Sequence, residues 1–548
     1  MTKQIKLENG NVIIADSQIV GHVTGWIDSL NRASEKLPEF GILSALLLDT
    51  NNKIFWHGGY LSPKSCIPLS YAMGEEYYGQ YPGTRQVDVV PMYCVVISKE
   101  LIKEIGLPQN LGSDIFIDAD YCLNAAQKGF KIYATDKLAM VYQGGPKNAE
   151  EVAEFANNFK NEGQKFVEKW SGLINSAYTL PTLYTAKAGG PSGFARAARG
   201  YMRGLIDNGI NVYFEALDEV IDAVKPTSDE KINSILEGRG DMMMPQITWG
   251  QAPYFLRNSG IYKIGHCEFE ATEVPESWIR YCNMLDELWV PTKWDKEKFI
   301  KAGVMIPIYV IYQGIDPNYF HPDYAPMVND AKETYKFICN AAWYPRKNLK
   351  NMITAFQAEF SDRDDVCLIL KTLNLGLNDG IQKELEKIEK TEGRANIYVR
   401  EEELADHVLP SLYTCGDCFL LPTHGEGWGL PIFEALACGI PVITTDYGAP
   451  AEVLRDKKGM PLPGVHFIEA GRSISDEPYV YIEGKEWAEP NMMHFRKLMR
   501  EVYTNRHEEK AKALKTSEFI RKEFSWTNVC VKIRERLEDI YKNKLITK

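Results

Sequence analysis

A basic excess is missing from this chain: 62 lysines and arginines face 74 aspartates and glutamates, a net charge of −12. Surfaces that follow nucleic-acid phosphates need clustered positive charge, so no nucleic acid is expected as a partner. Local pairs such as Arg346-Lys347 remain candidate anion sites. Long apolar runs are missing too, since no segment approaches the ~20 uninterrupted apolar residues that a membrane span requires. The opening stretch MTKQIKLENGNVIIAD has no apolar core of secretory length, which predicts a cytoplasmic protein with reduced cysteines. Those cysteines, 11 in all, are odd in number and scattered. Cys415 and Cys418 form the only CxxC, with no second pair at zinc-finger spacing, so they read as core packing rather than a metal cluster. Repeats of fixed period and low-complexity tracts are also lacking.

What is present is a chain of 548 residues, too long for one hydrophobic core, with 45% apolar and 25% charged residues, the balance of soluble multidomain proteins. From Ile42 to Gly145 it alternates short strands and helices, as in GILSALLLD, VDVVPMYCVVIS, DADYCLNAAQKG and KIYATD. Gly144, Gly145 and Pro146 then precede a charged, alanine-bearing helical stretch, a linker or boundary. A second alternation begins near Leu180 with a strand, a glycine loop and an amphipathic helix, and DPNYFHPDYAP marks the crossing into a third. The expected division is an α/β domain over 1–148, a helical linker over 149–177, an α/β domain over 178–325, another over 326–524, and a C-terminal helix over 525–548 that crosses back. Two consecutive α/β domains with a cleft between them make a natural nucleotide site, because ligands of such sheets bind at the carboxyl ends of strands.

The most informative stretch is HGEGWGLPIFEALACGIPVITTD, from His424 to Asp446. Pro431 suits a first helical position and Gly439 the position past a helix end, which predicts a helix over Pro431–Cys438. Its free amides and positive dipole end favour an anion such as a diphosphate. Glu434 lies about one turn inside this helix and Glu426 in the loop before it, so both carboxylates can accept from sugar hydroxyls on either side of that anion. A plainer alternative stays open on these residues alone: Glu434 favours a helix's first turn electrostatically and Glu426 is a solvated loop residue.

These residues resemble the E-x7-E signature of retaining glycosyltransferase family 4, and further blocks follow in register from about Leu180 to the C-terminus. AKAGGPSGFARAARG is similar to that family's glycine loop, FEATEVPESWIRYCNMLDELWVPTKWDKEKFIKAGV and VIYQGIDPNYFHP resemble its acceptor-domain blocks, and YPRKN its donor-phosphate block. The resemblance implies a GT-B pair of Rossmann-like domains and transfer of a sugar, with retention, from a nucleotide-sugar donor to a glycan or lipid-linked acceptor. It implies that Glu434 holds the donor ribose, Glu426 a hydroxyl of the donor sugar and Lys347 the diphosphate, with Gly189, Gly190, Gly193, Gly427, Gly429 and Leu430 around the donor. The family commonly has an arginine five residues before that lysine; here the position is Ala342, so Arg346 would supply the second charge. His266 and Glu270 are acceptor-side candidates facing the cleft, a satisfied buried histidine being the alternative for His266. No cofactor and no metal are expected in this site; the nucleotide-diphosphate sugar is a co-substrate. Contact with the inner membrane face and oligomerisation stay open. So do three other readings: a sugar-nucleotide epimerase, a phosphorylase on the same fold, and a glycan-binding scaffold with degenerate transferase domains.

The first third resembles the later half of a GT-A domain of glycosyltransferase family 2 type, with the nucleotide-binding half absent. Asp16 is followed at the second metal position by Gln18, the expected late histidine is Gln143, and Asp118 and Asp120 remain. Too few oxygen ligands for a hard metal are left, which implies a partial, non-catalytic domain.

Overall fold

The computed structural model describes all residues except 1, 21–23, 36, 62–65, 82, 108–109, 111–113, 145–148, 218–228, 237–242, 374–391, 476–481 and 546–548. Gly145 and Pro146, at the expected first boundary, therefore lie outside the described residues. The chain forms two compact units, Met1–Thr179 with Lys225–Gly238, and Leu180–Val224 with Arg239–Lys548.

Unit 1 is built on a mixed sheet in the order Thr2–Lys6, Val12–Asp16, Cys94–Ile97, Phe40–Leu48, Lys131–Tyr142, Ile19–Val20. The apolar run FGILSALLL forms the central strand Phe40–Leu48, which is buried along nearly its whole length and pairs in parallel with Lys131–Tyr142. A continuous rather than alternating apolar strand is what burial on both faces requires. The charged stretch expected as a linker is a single helix, Ala149–Ser176, and it belongs to this unit. Phe159 and Phe166 from it pack on Phe116 of the helix Ile115–Gln127, at ring separations of 4.7 and 5.5 Å.

Where the sequence reading runs one domain unbroken from 178 to 325, the segment Lys225–Gly238 departs and packs with unit 1. Its helix Glu230–Leu236 meets the strand Pro68–Ser70 and buries Ile232 and Ile235, while the Lys231 ammonium lies 4.8 Å from the centre of the Tyr60 ring. Burial of two isoleucines and a cation over an aromatic face outweighs continuity along the chain.

Unit 2 contains two six-stranded sheets. The first runs Ile210–Ala216, Thr179–Ala186, Pro245–Trp249, Tyr262–His266, Glu287–Val290, Ile308–Val310; the second runs Asn396–Arg400, Val366–Lys371, Tyr335–Asn340, Cys418–Leu421, Val442–Thr445, Val465–Ile468. Every pairing in the second sheet is parallel, and its order of 3-2-1-4-5-6 along the chain is that of a Rossmann sheet. The helix Trp526–Asn543 returns to the first sheet's domain and packs on the helix Gly193–Asp207. It fits because Gly200 and Gly204 have no side chain: a Cβ at Gly200 would lie 2.0 Å from the Trp526 ring. The fold is thus α/β with a GT-B pair of Rossmann-like domains. Among the described residues no helix is long and apolar enough to cross a membrane.

Candidate active site

Both sheets of unit 2 turn the carboxyl ends of their strands toward one cleft of about 450 Å³. After the strand Cys418–Leu421 the chain enters the glycine stretch and then the helix Leu430–Ala437, one residue earlier than the sequence predicted. Gly429 caps this helix at φ +88, a left-handed conformation that costs glycine little. Gly425 serves close approach instead: a Cβ there would lie 2.6 Å from the Glu270 carbonyl oxygen of the other domain.

Glu426 is buried, and Lys347 Nζ donates to both of its carboxylate oxygens at 2.7 and 2.9 Å. Burial disfavours the charged form, but Lys347 and Arg346 outweigh it and hold the carboxyl below its ordinary pKa. Lys347 is delivered by the short turn Pro345–Lys347 beyond the strand Tyr335–Asn340. Asn348, at φ +57, ties this turn to the next strand end by donating to the Pro422 carbonyl at 3.0 Å. Arg346 beside it donates to the Gly425 carbonyl at 2.7 Å and lies 3.3 Å from Glu270.

Glu434 has a different setting. It is 3% exposed, with Arg196 Nη1 at 2.7 Å from Oε1 and the Tyr413 hydroxyl donating to Oε2 at 2.7 Å. Burial outweighs both partners and raises its pKa. Arg196 comes from the helix that follows the glycine loop, so this ion pair joins the two Rossmann-like domains. Nearby, Arg199 pairs with Asp406 at 2.6 Å and donates to the Ala188 and Gly190 carbonyls.

Of the residues singled out by sequence, Glu426, Lys347, Arg346, Glu270, Gly193, Gly427, Gly429 and Leu430 line the cleft. Glu434 stands behind Arg196 and Tyr413 and is not part of the lining; Gly189 and Gly190 also lie outside it. His266 does not face the cleft. Its ring is fully buried with Tyr201, Trp249 and Trp289 at 4.7, 4.6 and 5.7 Å, and burial pulls its pKa down to about 3. A neutral imidazole packed among aromatics is a core residue, and burial of the ring at the strand end is what overrides the cleft-facing reading.

Sequence reasoning missed Arg196, Glu268, Tyr413 and Lys371. Arg196 and Lys371 stand in the cleft where Ala342 leaves the expected arginine absent. The signal for Arg196 was its place one turn into the helix after the glycine loop. Lys371 ends a buried strand and carried no motif at all. In unit 1, Asp118 accepts from the Met92 amide at 2.9 Å and Asp120 from Lys169 and Trp170 at 2.5 and 2.7 Å. Asp16 accepts from the Gln18 amide at 2.8 Å. Among the described residues no group of three or more His, Cys, Asp or Glu side chains is placed to hold a metal.

Residues 326–470 match the family model of glycosyl transferases group 1. A probable sucrose-phosphate synthase of Thermosipho melanesiensis is 32% identical over 176 residues, 31% of this chain and 40% of that protein. O-antigen chain mannosyltransferase B of Escherichia coli is 35% identical over 115 residues, 20% of this chain and 29% of that one. The chain thus spans less than half the length of these two curated relatives. Among solved structures, the sucrose-phosphate synthase of Thermosynechococcus elongatus is 12% identical, with a TM-score of 0.49 over 66% of this chain and 99% of that one.

Proposed function

We propose that this chain is a retaining glycosyltransferase of family 4, moving a sugar from a nucleotide-diphosphate sugar to a glycan or lipid-linked acceptor. The observation that carries the reading is the setting of Glu426 and Glu434 around the N-terminus of the helix Leu430–Ala437. Each carboxylate is matched by a cation, Lys347 or Arg196, that lines the cleft, and the segment lies in the stretch matched by the family model.

In this reaction the bond from the anomeric carbon to the β-phosphate oxygen breaks and its electron pair stays on phosphate. The acceptor oxygen bonds to the anomeric carbon on the same face, and the acceptor's proton leaves with the nucleoside diphosphate. Negative charge therefore grows on the departing oxygen. Lys347, Arg346 and Arg196 line the cleft beside the start of the helix Leu430–Ala437, where they and its amides would stabilise that charge, and electrostatic terms of this kind are usually the largest catalytic contribution. A diphosphate would draw Lys347 from Glu426 and Arg196 from Glu434, which frees both carboxylates for the sugar and ribose hydroxyls. Four cationic side chains in the cleft support chemistry without a resident metal. Unit 1 is proposed as a partial GT-A-like domain without catalysis, a reading supported by the protein partners that already engage Asp16, Asp118 and Asp120.

The test is nucleoside-diphosphate release from a panel of nucleotide sugars, with and without glycan and lipid-linked acceptors, followed by the anomeric configuration of the product. Acceptor-dependent release with retention is expected. No release from any donor defeats the reading, and an inverted product defeats its mechanism. Interconversion of the donor without acceptor, or a requirement for inorganic phosphate, points to an epimerase or a phosphorylase.

A further inference from the structure

Beyond the strand Tyr262–His266 the chain carries two glutamates, Glu268 and Glu270, and both line the cleft. Their partners differ. Glu270 has the Arg346 guanidinium at 3.3 Å. For Glu268 no cation stands within ion-pair distance among the described residues; its Oε2 accepts instead from Gln313 Nε2 at 2.6 Å. The side chain is pressed against the glycine loop, since a Cβ on Gly427 would lie 2.9 Å from Glu268 Cβ, Cγ and Cδ. That contact sets the carboxyl against Gly427, three residues before the helix Leu430–Ala437. Lys298 fixes the stretch from behind by donating to the Phe269 and Ala271 carbonyls at 3.0 Å each.

The charges around Glu268 are Glu270 on its own segment, Asp295 and Lys298 on the helix Lys293–Ala302, and Arg346, with Lys347, Lys371 and Glu426 across the cleft. Burial pushes the Glu268 carboxyl up most, the Glu270 charge adds to it, and against Gln313 and Arg346 the balance stands at about 8.

We propose that Glu268 stands in the cleft as an un-ionised carboxylic acid and donates its O–H to an oxygen of the bound nucleotide's diphosphate, a donor-binding residue that works only while protonated. This rests on the nucleotide-sugar reading above. With Glu268 neutral, the cleft lining holds four cations, Arg196, Arg346, Lys347 and Lys371, against two carboxylates, Glu270 and Glu426. Ionised, Glu268 would set a third negative charge beside the phosphates. An O–H given to an anionic oxygen is among the shorter and stronger hydrogen bonds, and a carboxyl kept neutral by burial so that it can donate is an established device of active sites.

The test is calorimetric titration of the full-length protein with UDP, GDP and ADP, each alone, between about pH 7 and about pH 9.5, where side chains such as this one would titrate and carboxyls of ordinary pKa would not. Binding by at least one nucleotide should weaken about tenfold across that range, with the decline setting in near pH 8. Glu268→Gln, uncharged throughout and still a donor through its amide, should hold its affinity within about twofold of the neutral-pH value, apart from any loss it shares with wild type. Lys371, whose pKa burial lowers, supplies such a shared loss. Glu270→Gln should move the midpoint of the decline to lower pH.

A ligand-free readout comes from stability. The folded state keeps a proton that the unfolded chain loses above the ordinary value of 4.5, so this carboxyl's contribution falls as pH rises from there to about 8. Wild-type Tm should therefore drop more steeply over that window than the Tm of Glu268→Gln. Parallel binding curves, equal Tm slopes, or loss of binding at neutral pH by a well-folded Glu268→Gln each overturn the proposal. If none of the three nucleotides binds wild type at any pH, the nucleotide-sugar reading falls first and this one with it.

Discussion

In unit 1 the helix Ile115–Gln127 carries Asp118 and Asp120; in unit 2 the helix Leu430–Ala437 carries Glu434, with Glu426 just before it. Both sets hang from α/β sheets, but the sequence reading gave a ligand-binding role only to Glu426 and Glu434. Their partners separate them. Asp118 is fully buried against a backbone amide and Asp120 binds Lys169 and Trp170, so each holds one piece of unit 1 to another. Glu426 and Glu434 are paired instead with long cationic side chains that themselves line a cavity. A carboxylate tied to backbone and to a packed helix has finished its work on folding, whereas one tied to a cation in a cleft can exchange that cation with a ligand.

Glu434→Gln tests the comparison most severely. It leaves Arg196 without its counter-charge and removes the acceptor proposed for ribose, so turnover should fall roughly 10²-fold or more, the range seen when one such polar contact is lost. Wild-type rates in a nucleoside-diphosphate release assay would place Glu434 with the structural carboxylates of unit 1. Lys347→Ala should weaken nucleoside-diphosphate binding about tenfold or more, because a hydrogen bond to a charged group contributes about 1.5–3 kcal/mol. Unchanged affinity by calorimetry would mean that Lys347 serves only Glu426.

Removing residues 1–179 should leave nucleotide-sugar affinity within a few-fold, but the protein should aggregate, since Ile232 and Ile235 lose the surface that buries them. Light scattering follows this, and Ile232→Ser with Ile235→Ser in the shortened chain should restore solubility. A soluble truncated protein that binds no donor would show that the donor site draws on unit 1. Asp120→Asn should lower the melting point by a few degrees through the weakened hold on Ala149–Ser176, with turnover within about twofold. A larger loss of turnover would give Asp120 a chemical role. Smallest of all is the expected effect of a chelator: release should continue at about its original rate, because side-chain cations meet the diphosphate. Abolition by EDTA with rescue by manganese or magnesium would transfer the chemistry to Asp16, Asp118 and Asp120.

How much of this could be read from sequence follows the range of each interaction. The helix over Leu430–Ala437 was legible within one residue because its signals, Pro431 and Gly439, act locally. The two sheets of unit 2 were legible because buried strands read as short apolar runs between turn signals. The Arg196–Glu434 pair was not, since it joins residues 238 apart on helices of different domains and leaves no spacing to recognise. Tyr413 and Lys371 were hidden for the same reason. His266 was misplaced because a histidine at a strand end reads alike whether its ring turns to the cleft or to Trp249 and Trp289. The path of Lys225–Gly238 had no local signature either, since two isoleucines one turn apart fit any packed helix.

The detour of the chain through Lys225–Gly238 also sets an order of assembly during synthesis. The strands of unit 1 are complete once Tyr142 has been made, yet the helix Glu230–Leu236, which meets the strand Pro68–Ser70, is translated only after two strands and a helix of unit 2. At about 5–20 residues per second, the unit waits several seconds on the ribosome with that surface bare. During that interval a chaperone, or another nascent copy, competes with Ile232 and Ile235 for the same ground.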